Sequence, residues 1–371
     1  MRESAYRYQT LAIGLLLAMP APVSIAQDED REVALPFVSL VQPPSVPKLK
    51  PKPLSDERRR EIEKLIRQLS NATRKDIDLN LSYGSDFVPV GHFGSFGSWT
   101  GKPVEGISES VKRLIEIGPD SIPFLLEALD DSTRTEIVVK CVERSMNGGM
   151  VFDVWTRGNP VNYSEQRILQ LDRHGFSPSA RPKDEFFLPE DMESYRVKVG
   201  DVAYAILGHI VGRRYICLTS PHVKSRGVIV ISPVQSKKLR QQIRDIWETE
   251  NPKQRLLESL LIDFSTRGIL QWDSLDFWDV GNGFQIEAVK RLLYYYPKIA
   301  APLIAERIQG LHAGGDFMED SVQNGIRSDN LVDSIAWSDN LEVKRALAKL
   351  ARIAIDPGLE EALDRAGIRK P

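Results

Sequence analysis

The side chains with the right chemistry for catalysis or metal binding are few and scattered. His92, His174, His209, His222 and His312 fall on five different predicted elements. No two stand four apart, the spacing by which a helix offers two imidazoles to zinc. There is no His-Glu-x-x-His, no Gly-x-Ser-x-Gly elbow, no pair of Cys-x-x-Cys and no dinucleotide glycine pattern. A phosphate loop ending at Gly101-Lys102 would need glycine at 96 and serine or threonine at 103, where the chain has Phe96 and Pro103. Asp273, Asp276 and Asp279 recur every third position beside Trp272 and Trp278. Calcium loops set their carboxylates at alternate positions around a glycine, so this stretch reads as a polar loop with aromatic anchors. The run His312-Ala-Gly-Gly-Asp316 reads as a glycine-rich connector between helices.

Two aromatic loops remain. In Gly91-His-Phe-Gly-Ser-Phe-Gly-Ser-Trp-Thr-Gly101, glycines give the backbone freedom while Phe93, Phe96 and Trp99 either lie over a ligand such as a sugar or pack back on the first helical hairpin. With Trp272 and Trp278 they define one functional reading, a cell-wall or carbohydrate-binding module built on loops 91–101 and 271–279. The basic word Val-Lys-Arg occurs three times, at Val111 to Arg113, Val289 to Arg291 and Val343 to Arg345. Arg113 and Arg291 then either line one surface as a ladder that grips an acidic partner or sit on solvated faces bridging neighbouring elements.

Those basic words belong to longer ones. Val111-Lys-Arg-Leu-Ile-Glu-Ile-Gly-Pro119 is rewritten loosely at Val289-Lys-Arg-Leu-Leu-Tyr-Tyr-Tyr-Pro297. With one residue inserted, Pro123-Phe-Leu-Leu-Glu-Ala-Leu129 matches Pro302-Leu-Ile-Ala-Glu-Arg-Ile308. Each copy predicts two helices folded at a proline, with Leu114, Ile115 and Ile117 on one apolar stripe and Ile122, Leu125, Leu126 and Leu129 on the next. Pro123 and Pro302 are placed in the opening turn of the second helix, where no amide partner is lost. A hairpin of this kind leaves an apolar face that a neighbouring hairpin must cover. The run from Leu114 to Asp131, with its Gly118, Ile122-Pro123 and Ala128-Leu129, resembles a HEAT or HEAT-like repeat of the armadillo type. The 285–309 region resembles it less closely and 340–366 only weakly. The resemblance implies stacked antiparallel helix pairs and a habit of binding macromolecules; it implies no reaction.

Elsewhere the pattern predicts a charged helix over 55–69 capped by Ser55, a further repeat helix over 136–145 and an irregular insertion over 146–195 that contains one short helix, 164–172. Residues 199–212 are apolar nearly all round and predict a central buried helix, with His209 as a core histidine. Residues 215–219 and 227–232 are β-rich and predict a hairpin that the HEAT resemblance does not explain. Helices follow over 236–247, 252–264, 284–296, 299–310, 317–323, 330–337, 341–355 and 359–365.

The chain has 371 residues, 42% of them hydrophobic, and a net charge of −2, which favours neither nucleic acid nor an anionic membrane face. Residues 1–26 read as a signal peptide: Arg2 and Arg7, an apolar run over 11–19, and Ser24-Ile25-Ala26 ahead of cleavage between Ala26 and Gln27. That run is too short for a span of about 20 residues, so no membrane span is expected after cleavage. Removing Arg2, Arg7 and Glu3 leaves 47 basic and 50 acidic groups, net −3. Residues 27–54, ending in a proline-rich run, read as a disordered linker. In an oxidising compartment Cys141 and Cys217 either pair, for a gain of about 4 kcal/mol, or remain two buried thiols.

Taken together these observations predict a mostly α protein: a HEAT-like α-solenoid of stacked helical hairpins with a small β-hairpin insertion. Its N-terminal helical region covers 55–145, with the hairpin at 107–131. Its C-terminal region covers 196–371, with the β hairpin near 215–232 and the second helical hairpin at 285–309. The expected role is non-catalytic, without cofactor or metal: a periplasmic or extracellular scaffold or adaptor whose partner is another protein.

Overall fold

The helix Val199–Val211 has no face for water, and all 13 of its residues are buried. Ile206, Leu207 and Ile210 are fully buried, each stabilising by about 1.5–3 kcal/mol relative to exposure. The elements before it in the chain pack around this helix. The computed structural model describes residues 39–40, 43–77, 79, 86–93, 99–144, 149–152, 186–187, 194–213, 215, 217–219, 229–230, 232–267, 283–311, 328–354 and 357–368. The chain divides into two units, Met1–Glu32 and Val33–Pro371, and the first lies wholly outside the described residues. The signal sequence with its cleavage point, the 164–172 and 317–323 helices, His174, His222, His312, Phe96 and the loop 271–279 also lie outside them.

The described residues are mostly helical. In chain order the helices are α1 (Asp56–Arg67), α2 (Arg74–Ile77), α3 (Glu109–Ile117), α4 (Ile122–Glu127), α5 (Val199–Val211), α6 (Lys237–Trp247), α7 (Pro252–Ser265), α8 (Gly283–Tyr295), α9 (Pro297–Gln309), α10 (Ser328–Ile335), α11 (Leu341–Ala351) and α12 (Pro357–Arg365). Their starts follow the capping residues. Ser55 accepts from the Arg58 amide at 3.2 Å, Ser236 from the Leu239 amide at 3.1 Å, and Asn340 from those of Glu342 and Val343 at 3.0 and 3.3 Å. Asp56 and Glu57 occupy the positive end of α1 and Lys64 and Arg67 its negative end. Pro123 is in the first two positions of α4, as expected. Pro302 is not in an opening turn: α9 begins at Pro297, and Pro302 stands inside it. The sequence alignment had put the helix start too late, because Pro297 itself supplies the favourable first residue.

Helices α2, α3 and α4 pack on α5. Farther along, α8 packs on α7, α9 and α10, while α10 packs on α12 and α9 on α11. Both similar words are helical, as α3 and α4 and as α8 and α9, and their ends meet. Gly118 closes α3 with φ of 65°, and a Cβ there would stand 2.3 Å from Cε1 of Tyr295. The Tyr295 hydroxyl donates to the Ile115 carbonyl at 2.7 Å, satisfying one of the orphan acceptors at the end of α3.

The strands are β1 (Ser39–Leu40), β2 (Arg134–Arg144), β3 (Gly149–Phe152), β4 (Phe186–Phe187), β5 (Ser194–Lys198), β6 (Leu218–Thr219), β7 (Ile229–Val230) and β8 (Thr266–Arg267). The expected hairpin is present, with Leu218 opposite Val230 and Thr219 opposite Ile229, and β4 joins its far side. The helix expected over 136–145 is instead β2, paired antiparallel with β3 and β5. Thr135, Ile137 and Val139 point inward while Arg134 and Glu136 are exposed. That alternation, carried by β-branched residues, has period two, which a helical reading of the same apolar residues overlooks. The insertion over 146–195 accordingly contributes β3, β4 and the start of β5.

The proline-rich segment also departs from expectation. Over 43–54 it stays extended, as its prolines require, but it lies against the helices. The Leu49 amide donates to Oε1 of Gln254 at 2.7 Å, and Nδ2 of Asn251 donates to the Leu49 carbonyl at 2.7 Å. Val46, Leu49 and Leu54 pack half-buried on the core. Upstream, Ser39 and Leu40 pair antiparallel with Arg267 and Thr266. An extended chain without internal hydrogen bonds leaves its backbone groups available, and here side-chain amides take them.

Candidate functional site

The three basic words begin alike and end differently. Val111, Val289 and Val343 are all fully buried. After the first, Lys112 is exposed, while Arg113 bonds Glu61 at 2.8 Å and Glu116 at 3.2 Å on the surface. Arg58 also bonds Glu61, at 2.7 Å. These two hydrogen-bonded arginines hold the Glu61 carboxyl below its ordinary range. After the third word, Lys344 pairs with Asp339 at 2.6 Å and Arg345 is exposed. After the second, Lys290 and Arg291 are both buried. Arg291 is therefore not on a surface, and a ladder of charges along one face cannot include it.

What covers Lys290 and Arg291 comes from far away in sequence. Arg291 Nε and Nη2 donate to the His209 carbonyl at the end of α5, at 2.8 and 2.6 Å, and Nη1 donates to the Glu287 carbonyl at 3.0 Å and to its carboxylate. The guanidinium lies 4.7 Å from the centroid of Phe87. Lys290 Nζ bonds the other Glu287 oxygen at 2.7 Å and sits 4.0 Å above the Phe93 ring. Residues 86–93 are themselves tied down, since Asp86 Oδ1 accepts from the Phe93 amide at 2.6 Å and lies 2.7 Å from Nδ1 of His92.

Electrostatics follow from this enclosure. Burial alone would raise the Glu287 carboxyl, but Lys290 and Arg291 prevail and hold it at about 2. Burial lowers Lys290, against the pull of Glu287. For His209, burial and then the neighbouring Arg291 lower the imidazole to about 3. It is neutral at pH 7; Nε2 accepts from the Val88 amide at 3.2 Å, so the proton resides on Nδ1. A carboxylate fixed between two cations is no proton acceptor, and a neutral imidazole facing a backbone amide is no nucleophile. The arrangement can hold residues 86–93, α5 and α8 together, and His209 is the core histidine that its helix predicted.

Two smaller buried clusters have the same character. Asp201, near the start of α5, accepts from the Tyr195 hydroxyl at 2.8 Å, the Ser232 hydroxyl at 2.5 Å and the Lys198 amide at 3.0 Å. Burial raises its carboxyl despite these donors. Arg213 bonds Asp263 at 2.5 Å and Ser259 at 3.1 Å. Cys217 is buried, and the side chain of Cys141 lies outside the described residues.

The aromatic loop packs inward where it is described. Phe93 is buried under Lys290, and Trp99 is half-buried with its indole N–H donating to the Val90 carbonyl at 3.2 Å. The Phe93 ring lies under Lys290 of α8. Trp272 and Trp278 lie outside the described residues. Among the described residues, no group of three or more His, Cys, Asp or Glu is placed to hold a metal, and no helix is long and apolar enough to cross a membrane.

The sequence reading missed Asp86 and Glu287. Glu287 was legible in principle, three and four residues before Lys290 and Arg291 on one helical face. Asp86 had no such signal, because its partners, the Phe93 amide and His92, follow it in an irregular loop with no helical or strand spacing. No protein-family model, curated protein or solved structure matches this chain, so its functional reading rests on its own residues.

Proposed function

We propose that this chain is an exported, non-catalytic scaffold or adaptor that binds another protein, built on a HEAT-like stack of helical hairpins. One observation carries the reading: among the described helices of the C-terminal half, packing joins alternate helices as well as neighbours. Helices α8, α10 and α12 follow one another in contact, and α9 and α11 do the same. Two rows formed in this way are the geometry by which successive hairpins cover each other's apolar faces. The buried clusters support the same reading, because each joins elements instead of presenting reactive groups to a ligand. Export is part of the proposal and rests on residues 1–26.

The test is capture. Purified chain beginning at Gln27, immobilised and exposed to cell-envelope extract of the source organism under native conditions, should retain the same partner protein in replicate. Exposed Lys112 and Arg345 give the control: Lys112→Glu with Arg345→Glu should weaken retention of a partner held through those faces. Repeated failure to retain any partner would remove the adaptor reading.

A further inference from the structure

Leu341 and Ile353 are the exposed large apolar side chains of the described residues, at 70% and 56%, and they stand at the two ends of α11. Between them Arg345, Lys349 and Arg352 are exposed as well. At 3.6 residues per turn these five side chains fall within an arc of about 120°, opposite the buried Val343, Leu347 and Leu350. The winding continues past the end of α11, since the Ala354 amide donates to the Leu350 carbonyl at 2.9 Å. The stripe is about 18 Å long at 1.5 Å per residue. None of its three cations bonds an acid among the described residues, whereas Lys344 pairs with Asp339 at 2.6 Å and Arg365 with Asp333 at 2.7 Å. Glu342, on the same side, occupies the first turn, where the helix dipole favours it. Arg345 and Lys349 stand four apart and Lys349 and Arg352 three apart, spacings at which like charges repel, so this face weakens the helix that carries it.

We propose that this stripe lays α11 on an anionic phospholipid surface, with Leu341 and Ile353 entering the boundary between headgroups and acyl chains and Arg345, Lys349 and Arg352 pairing with headgroup phosphates. Unneutralised cations select an anionic partner. Protruding aliphatic side chains at both ends select one with an apolar layer beneath its charge. Long lysine and arginine stems let the charged heads stay at the phosphates while the shorter aliphatic groups sit deeper. A stripe on one convex helix face asks for no matching shape, and a bilayer offers none. The net charge of the whole chain gives no hint of this, because the segregation is local. Helix α1 is an internal comparison: Arg60, Lys64 and Arg67 repeat the cation spacing and are exposed, but no exposed large apolar side chain stands beside them.

The test is vesicle co-sedimentation. The chain beginning at Gln27 keeps every described residue and lacks the apolar run over 11–19, which would enter vesicles by itself. It should bind vesicles of phosphatidylglycerol and phosphatidylcholine in equal parts about tenfold more tightly than vesicles of phosphatidylcholine alone. Arg345→Glu with Lys349→Glu should weaken binding to the anionic vesicles about tenfold, and Leu341→Asn with Ile353→Asn should weaken it severalfold. Lys64→Glu with Arg67→Glu makes the same change of net charge on α1 and should leave binding within about twofold of the unaltered chain. All six side chains are exposed, and an unchanged urea midpoint checks that each variant folds. Equal binding to the two kinds of vesicle overturns the proposal without any variant. A loss as large from the α1 substitutions as from those on α11 reports net charge alone and overturns it too. Binding of soluble polyglutamate with none to anionic vesicles would make the partner an acidic protein, again overturning it. Only lipid and purified chain are used, so failure of envelope capture removes the adaptor and leaves this surface standing, and the converse holds equally.

Discussion

The word Val-Lys-Arg should respond to the same substitution by very different amounts in its two principal copies. Arg291→Ala removes the guanidinium that bonds the His209 carbonyl, pairs with Glu287 and covers the Phe87 ring. Its side chain is 1% exposed and that of Glu287 12%, so the groups left behind are nearly dry. Taking one partner from a buried pair costs about 3–5 kcal/mol. The orphaned carbonyl accounts for about 1–3 kcal/mol within that total. We expect a loss of about 4 kcal/mol, a large part of a typical stability of about 5–15 kcal/mol. Arg113→Ala breaks two hydrogen bonds as well, but its side chain is 42% exposed, and such pairs contribute about 0–1 kcal/mol. Urea unfolding followed by circular dichroism measures both, with Arg291→Met as a control that keeps the stem's volume and still leaves Glu287 with Lys290 alone. Arg291→Met should resemble Arg291→Ala. If the Arg291 and Arg113 variants unfold at the same urea concentration, the enclosure of the second copy is not what holds residues 86–93 and α5 against α8.

Two further perturbations test the same interior. His209, lowered in the folded chain to about 3, binds its proton more readily when unfolded, near 6.5, so it contributes stability above that pH that is progressively lost as pH falls toward 3. Arg291, Lys290 and Glu287 face it. Asp201, raised by burial, acts with the opposite sign, so the informative quantity is a difference: His209→Gln, which keeps an acceptor for Val88, should flatten the fall in stability between pH 6.5 and 4, and parallel profiles would refute the assignment. Gly118→Ala meets both the positive φ and the Tyr295 ring; strain in that region alone costs about 1–2 kcal/mol. We expect at least that loss in thermal or urea unfolding, reduced when Tyr295→Ala is combined with it, and simple additivity of the two would refute the contact.

What the sequence determined by itself was local. Helix starts at Ser55, Ser236 and Asn340 follow from side-chain oxygens beside unpaired amides, and the burial of Val199–Val211 follows from a helix with no polar face. The word shared by 111–129 and 289–308 predicted helices in both places, and helices are present in both. Strand β2 was misread because the same apolar residues admit a period of two, and only pairing with β5 decides between them. Tertiary structure alone decided that Lys112-Arg113 stays wet while Lys290-Arg291 is buried, since the covering groups, Asp86 to Phe93 and the end of α5, lie about 80 or more residues away along the chain. It also decided that residues 43–54 lie against the helices and are not a free spacer. Composition specifies an extended backbone, but at Leu49 that backbone is tied by the side-chain amides of Asn251 and Gln254, at the start of α7 and more than 200 residues downstream. Local conformation is set by neighbours in sequence, and burial of charge by neighbours in space.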